Sequence, residues 1–296
     1  MTATRILEVK HKTTYTYDKM VKRSVHKLHA KPIEDSRQRL MQYSLRVTPE
    51  TTLVEFEDVF GNPSVRFNMD KPYNQLEIDM HAVVELQLSD PFAFASIPIK
   101  RTFPLVWMPF QQIMLAPYLQ HPELPDTQIE ELFEYAMSFA SSNNWDLMET
   151  LFAINLKLFK EYQYVPGTTK LTTTPYEVYC AKQGVCQDFT NLFITLARLL
   201  GVPARYVCGY LYTGNTGGSS RAMSDASHAW IELFIPNTGW KGFDPTNGIL
   251  PNADHIRLSC GRNYKDVAPT SGTLYSVAQE SILVDVEVNE INQANL

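Results

Sequence analysis

A cysteine at the start of an apolar helix is the residue of this chain best placed to act as a nucleophile. Cys186 precedes QDFTNLFITLARLLG, whose apolar residues recur at helical spacing until Gly201 and Pro203 end the helix. A helix N-terminus offers unpaired N–H groups and a partial positive charge, which favour the reactive thiolate. The same N–H groups can stabilise an oxyanion on an attacked carbonyl. We therefore predict that Cys186 attacks an amide or acyl carbon.

A base for this thiol, and a group that orients the base, follow on two consecutive predicted strands. His228 lies in SHAWIEL and Asp244 in GWKGFDPT, and the connection IPNTG is short and rich in turn residues. A hairpin of these strands would set the carboxylate of Asp244 beside the imidazole of His228. Because a catalytic thiol needs an imidazole base and that base needs an orienting group, we predict a Cys186–His228–Asp244 triad. A core histidine and a turn aspartate are the alternatives.

Three further residues are candidates for the oxyanion site or for the walls of the acyl site. Gln183 could donate to the oxyanion, although a hydrogen bond within a loop is an equal alternative. Trp230 and Trp240 share the strand faces of His228 and Asp244 and could wall the site, or simply be core. The loop of residues 213–220 could be a mobile lid or a plain hairpin loop.

The elements that must position these residues change character along the chain. Residues 1–105 alternate between apolar and polar side chains, which predicts an antiparallel β-sandwich, and residues 91–125 form a proline-punctuated linker. Helical spacing begins at Asp126 and recurs around residues 146–162, and a capping box at 174–177 opens a short helix. Strands return after residue 201. We predict an α+β protein with domains at 1–105 and 106–296, the second including the linker and the C-terminal strand.

Seven short motifs occur along the chain in a recognisable order and spacing. Five lie in the second half, GVCQDF (184–189), GVPARYVCGY (201–210), SHAWIE (227–232), GWKGFDPTN (239–247) and GRNYKDVAP (261–269), and two lie in the β-rich N-terminal part, TYTY (14–17) and DVFGN (58–62). Together they resemble the motifs of bacterial transglutaminase-like proteins in the transglutaminase core superfamily, and the resemblance covers nearly the whole chain. It implies a papain-like α+β core, with the nucleophile at a helix N-terminus packed on an antiparallel sheet, and Cys186, His228 and Asp244 as the triad.

The activity that this resemblance implies is cysteine-dependent acyl transfer on amide bonds through a thioester acyl-enzyme. Hydrolysis of a protein or peptide, as a peptidase or amidase, is our first hypothesis. A protein-glutamine transglutaminase with an amine acceptor and a non-catalytic binding scaffold are the alternatives. Animal crosslinking enzymes have Gln-Cys-Trp where this chain has Val185-Cys186-Gln187, which disfavours crosslinking. No acidic cluster resembles a calcium loop, so calcium control is not expected.

Composition and charge limit the partners, the cellular location and the cofactors that we expect. The 296 residues carry a net charge of −6, so we expect no nucleic-acid partner. No apolar run matches a signal peptide or a membrane helix, and we expect a cytoplasmic protein without a membrane partner. Cys180, Cys208 and Cys260 are expected to be reduced core or loop thiols. The histidines other than His228, His255 among them, lack metal-ligand spacing, so neither a metal nor a cofactor is expected. The oligomeric state is left open.

Overall fold

The described residues form three four-stranded antiparallel sheets and a layer of helices. A computed structural model describes residues 4–92, 101–168, 170, 172–214 and 227–291. The strands are β1 (Thr4–Val21), β2 (Ser24–Leu28), β3 (Gln38–Thr48), β4 (Val54–Glu57), β5 (Pro63–Met69), β6 (Tyr73–Gln87), β7 (Gln163–Tyr164), β8 (Gln183–Gly184), β9 (Ala204–Leu211), β10 (His228–Ile235), β11 (Gly239–Phe243), β12 (His255–Gly261), β13 (Thr270–Leu274) and β14 (Glu280–Glu290). The helices are α1 (Pro109–Leu115), α2 (Asp126–Ser142), α3 (Leu147–Glu161), α4 (Pro175–Ala181), α5 (Cys186–Leu199) and α6 (Tyr264–Val267).

Two of the sheets form the predicted N-terminal sandwich. The first sheet has the order β14-β1-β6-β3 and the second sheet has the order β13-β2-β5-β4. Alternate residues of β5, namely Val65, Phe67 and Met69, are buried and pack with Leu76 of β6 between the two sheets. The period-two pattern of the sequence therefore gives each strand one buried face, as predicted.

Strands from the C-terminal end of the chain complete both sheets of this sandwich. β13 pairs with β2, and β14 pairs with β1 from Leu7–Glu290 to Tyr17–Glu280. The predicted division placed the C-terminal strand with the second domain, but this strand lies at the edge of the first sheet. Its place is determined by backbone hydrogen bonds to a strand more than 250 residues away in the chain, and no local pattern encodes that pairing. The boundary at residue 105 stays a prediction.

The third sheet, called here the core sheet, has the order β11-β10-β9-β12 and is covered on both faces. On one face α5 packs through Phe189, Leu192 and Phe193 against β10. Burial of each of these side chains contributes roughly 1.5–3 kcal/mol. On the other face, Ile256 and Leu258 of β12 pack against strands of the first sheet. The predicted α+β architecture, with the cysteine helix on an antiparallel sheet, is confirmed.

Two side-chain amides from the N-terminal sandwich bind the backbone of β12, the edge strand of the core sheet. Gln38 donates to the carbonyl of Arg257 at 2.9 Å and accepts from its N–H at 2.9 Å. Asn62 donates to the carbonyl of Cys260 at 2.9 Å and accepts from its N–H at 2.8 Å. Each amide thus takes the place of a neighbouring strand and satisfies edge groups that would otherwise be unpaired.

The proline-rich stretch after the sandwich is partly helical, where the sequence predicted only a linker. From residue 101 onward it contains α1, which starts at Pro109, and a short 3₁₀ turn at Ala116–Tyr118. Proline is tolerated at the first position of a helix because its missing N–H has no intrahelical partner there. Trp107 anchors the stretch by donating from its indole N–H to the carbonyl of Gly201 at 3.0 Å. Among the described helices, none is long and apolar enough to cross a membrane.

Candidate active site

Cys186 lies in the first turn of α5, where the backbone N–H groups have no acceptor within the helix. The helical hydrogen-bond ladder begins with Asp188, whose N–H donates to the carbonyl of Val185 at 2.9 Å. The Asp188 carboxylate in turn accepts from the Val185 N–H at 2.8 Å. The N–H groups of Cys186 and Gln187 have no backbone acceptor among the described residues, so both could donate to an acyl oxygen. A Cβ at Gly184 would lie 2.8 Å from the Asp188 carboxylate, so this capping arrangement requires glycine there.

His228 and Asp244 meet at one end of the β10–β11 hairpin, as predicted. The register pairs Ile231 with Phe243, and the ring Nε2 of His228 lies 2.9 Å from Oδ2 of Asp244. The exposed fractions of the two side chains are only 2% and 0%. The turn after β11 fixes the other carboxylate oxygen, Oδ1, which accepts from the N–H groups of Thr246 and Asn247 at 3.0 and 3.2 Å.

The imidazole of His228 connects this carboxylate to Cys186. Burial alone would lower the pKa of His228, but the charge and hydrogen bond of Asp244, followed by the nearby Cys186, raise it to about 10. Because Nε2 is bound to Asp244, Nδ1 is the nitrogen left for the thiol. This Nδ1 is buried and has no hydrogen-bond partner among the described residues. The arrangement therefore favours a protonated imidazole next to Cys186.

A second histidine, which the sequence analysis assigned no role, lies in the same cluster. His255 Nε2 is 3.2 Å from the Asp244 oxygen that His228 also binds. The pKa of Asp244 is lowered, because the two histidines outweigh the effect of burial, which would raise it. The ligand atoms of His228, Asp244 and His255 lie within 4.8 Å of one another, a set that could hold a metal ion. They already hydrogen-bond to one another in a buried cluster, and the absence of a metal cofactor stays a prediction.

His255 could not be found from the sequence because spacing carries no signal for it. It starts β12, which pairs with β9 on the far side of the core sheet from β11. Only this pairing of distant strands brings His255 to Asp244.

The two candidate tryptophans have different places in the hairpin. Trp230 stacks against His228 with ring centroids 5.8 Å apart and meets His255 edge-on at 5.1 Å. Its exposed fraction is 1%, so it supports the base from within the core. Gly209 on β9 makes room for it, since a Cβ there would lie 2.6 Å from the Trp230 ring.

The prediction that Trp240 walls the site is wrong. Trp240 pairs with Phe234 at the opposite end of β10 from His228, about 20 Å away along the strand. It packs against the rings of Phe234 and Tyr118 and under the guanidinium of Arg205. Alternation correctly gives the face of a residue on a strand, but it does not give the distance along that strand.

The short β7–β8 pair lies just before Cys186 and brings one residue near it, Tyr164, that the sequence did not indicate. Gln183 lies in β8, which pairs in parallel with β7, and its oxyanion role stays a prediction. Tyr164 of β7 lies opposite Gly184 in this pairing. Burial, followed by the nearby Cys186 and Asp188, raises the pKa of Tyr164 to about 12. Residues 215–220 of the candidate lid at 213–220 lie outside the described residues.

The other three cysteines lack an imidazole partner in the described part of the chain. Cys208 and Cys260 are buried, as predicted for core thiols, and Cys180 is exposed on α4. Burial, followed by the nearby Cys186, raises the pKa of Cys208 to about 12. Cys186 is thus the thiol that combines partial exposure with a base.

Two family models match this chain in separate segments. Residues 7–85 match the bacterial transglutaminase-like N-terminal region, which includes most of the sandwich strands. Residues 134–245 match the transglutaminase-like superfamily. The second segment contains Cys186 and His228 and ends one residue after Asp244.

Similar proteins and structures support the same fold over the full length. Uncharacterised proteins of Mycobacterium tuberculosis and Mycobacterium bovis are each 29% identical to this chain over 300 residues, covering 98% of it and 94% of theirs. The protein-glutamine gamma-glutamyltransferase of Pseudomonas aeruginosa is 29% identical over 92 residues, 30% of this chain and 14% of that protein. A solved structure of a candidate cysteine protease from Cytophaga hutchinsonii is 22% identical, with a TM-score of 0.78 over 98% of this chain and 92% of that one.

Proposed function

Because this chain joins a bacterial transglutaminase-like N-terminal region to a core of the transglutaminase-like superfamily, we propose that it hydrolyses amide bonds of a protein or peptide through a thioester on Cys186. One observation carries this proposal. A buried imidazole, His228, binds Asp244 at 2.9 Å, and the nearby thiol of Cys186 at the start of α5 helps to raise the pKa of that imidazole. A nucleophile, its base and an orienting carboxylate are the three groups that such a reaction requires.

The first half-reaction uses the ion pair of Cys186 and His228. The thiolate attacks the amide carbon, and the resulting oxyanion is stabilised by the N–H groups of Cys186 and Gln187 at the helix start. The imidazolium then gives its proton to the leaving nitrogen, so that the C–N bond breaks and an amine departs. Asp244 stays ionised throughout and keeps the ring oriented, because five hydrogen bonds hold its two oxygens.

The second half-reaction regenerates the thiol. The now neutral imidazole of His228 takes a proton from water, and the hydroxide attacks the thioester carbon. The tetrahedral intermediate collapses, releases the carboxylic acid and returns the thiolate beside an imidazolium. No cofactor is needed for this balance, since water supplies both the oxygen and the proton.

A transglutaminase is the second candidate, and one observation favours it. A stretch of 92 residues is 29% identical to the protein-glutamine gamma-glutamyltransferase of Pseudomonas aeruginosa. In that reaction an amine replaces water in the second half-reaction, and the same residues act. The two candidates therefore differ only in what reaches the acyl-enzyme.

Trapping the acyl-enzyme tests the proposal. The protein is incubated with glutamine-containing peptides, quenched in acid and digested, and mass spectrometry locates the acyl group. We expect the adduct on Cys186, none in Cys186→Ala, and an unchanged adduct in the matched thiol variant Cys180→Ala. Adding a fluorescent alkylamine separates the candidates, because only a transglutaminase incorporates it into the peptide. Undiminished peptide turnover by Cys186→Ala would show that Cys186 is not the nucleophile.

A further inference from the structure

A cavity of about 350 Å³ runs along one side of α5, beginning at the residue after Cys186. Gln187, Asn191 and Arg198 of α5 line it, and their spacing places them on one face of the helix. The segments 117–123 and 262–265 form the opposite walls. The cavity therefore starts at the residue that follows the nucleophile in the chain and leads away along the helix.

The far end of this cavity contains a buried cation, Arg198, that has no carboxylate within 4.0 Å in the described part of the chain. Arg198 has an exposed fraction of 8%, and its guanidinium donates only to the backbone carbonyls of Gln120, Ala204 and Arg262, at 2.7, 2.8 and 2.6 Å. Its Nε is buried and has no hydrogen-bond partner within the described ranges. A buried charge without a directly paired carboxylate is costly, so an anion in the cavity would be favoured.

The remaining charges along the cavity leave an excess of positive charge. Lys265 is exposed on α6 and has no carboxylate within 4.0 Å among the described residues. Arg262 is neutralised by Asp266, with hydrogen bonds of 2.8 and 3.0 Å. Glu123 is the opposing charge on the wall. The two positive charges of Arg198 and Lys265 therefore exceed the one negative charge of Glu123 by one.

We propose that this cavity binds a carboxylate of the substrate, either a C-terminal carboxylate or an Asp or Glu side chain, and so selects acidic peptides. The inference rests on the proposed function and names its substrate class. From Gln187 to Arg198 the helix rises about 16 Å, a distance that about five residues of extended peptide cover. The carboxylate recognised by Arg198 and Lys265 therefore lies within about five residues of the acylated position.

Calorimetry with the Cys186→Ala protein tests this binding without turnover. Three peptides serve as probes: acetyl-Gln-Gly-Gly-Gly-Gly-Gly as the free acid, the same peptide as the amide, and acetyl-Gln-Gly-Gly-Gly-Gly-Glu amide. We expect each acid to bind about fivefold or more tightly than the neutral amide at low salt. Lys265→Gln should reduce this preference and Lys265→Glu should remove it. The matched control Lys160→Gln, on the exposed side of α3, should leave it unchanged.

Each result decides the proposal. Equal affinity for the acids and the amide, no binding of either acid, or an equal loss in Lys160→Gln would overturn it. Binding of only the free acid would identify a C-terminal carboxylate as the ligand. Failure of the proposed function shows itself separately, as the absence of an acyl adduct on Cys186 in the unmodified protein, because the binding measurement involves no acylation.

Discussion

His228 and His255 bind the same carboxylate oxygen, Oδ2 of Asp244, at 2.9 and 3.2 Å. Both rings donate through Nε2, because an ionised carboxylate only accepts hydrogen bonds. Of the two histidines, His228 is the one whose pKa the nearby Cys186 thiol also raises. We therefore regard His255 as a positioning residue, which acts on the reaction through Asp244.

Replacing His255 by phenylalanine should slow the alkylation of Cys186 by iodoacetamide near neutral pH by about three- to tenfold. This corresponds to the loss of one hydrogen bond, ~1 kcal/mol. Glutamine can place an N–H close to the position of Nε2, so His255→Gln should retain most of the rate. At about pH 10 a thiol ionises without help from an imidazolium, and both variants should then react like the unmodified protein. A purely structural role would instead lower the rate equally at every pH.

Iodoacetamide should label Cys186 faster than Cys180 at about pH 6, by about tenfold or more. Cys180 is the internal control, because it is the more exposed thiol of the two and lacks an imidazole partner. The expected preference comes from the imidazolium of His228, so His228→Ala should abolish it. Peptide mapping after timed labelling measures both rates in one sample. Faster labelling of Cys180 would show that accessibility, and not activation, controls the reaction.

Replacing His228 by glutamine should cost more stability at about pH 6 than at about pH 10. Although burial lowers the pKa of His228, Asp244 and Cys186 raise it from 6.5 to about 10 in the folded protein. A pKa raised by folding stabilises the protein fully below the unfolded value, and the gain is lost as the pH rises through the folded value. The difference in free energy of unfolding between the two proteins, measured with urea, should therefore shrink between about pH 6.5 and 10. A constant difference would contradict the ion pair.

Gly209→Ala should destabilise the protein by about 2–3 kcal/mol or more and slow the labelling of Cys186. A Cβ at this position would overlap the carbonyl oxygen of Ile256 and lie 2.6 Å from the Trp230 ring that stacks on His228. Gly61→Ala is the matched control. Its φ is +80° with no atom within 4 Å of the added Cβ, so it should cost only about 1 kcal/mol and leave labelling unchanged. Urea unfolding and alkylation rates measure both effects, and equal losses in the two variants would refute the steric argument.

Local sequence patterns predict those parts of the site that local interactions determine. The apolar rhythm after Cys186 predicts α5, because a helix buries the face that repeats every three to four residues. The short connection between the strands of His228 and Asp244 predicts their contact, because neighbouring strands of a hairpin place nearby residues side by side.

Long-range pairing determines the parts that could not be predicted. His255 reaches the site because β12 pairs with β9, and β14 reaches the first sheet because it pairs with β1. The Trp240 error has the same origin, since the position of a residue along a hairpin depends on register as well as on alternation.

The amides of Gln38 and Asn62 also bear on how the protein can be divided. They bind the outward-facing N–H and carbonyl groups of Arg257 and Cys260, on the strand that begins with His255. An excised core would expose these groups as an open template on which further chains could add as strands. The sandwich therefore also prevents the core from associating with itself through this edge. The smallest soluble catalytic unit should include both the sandwich and the core.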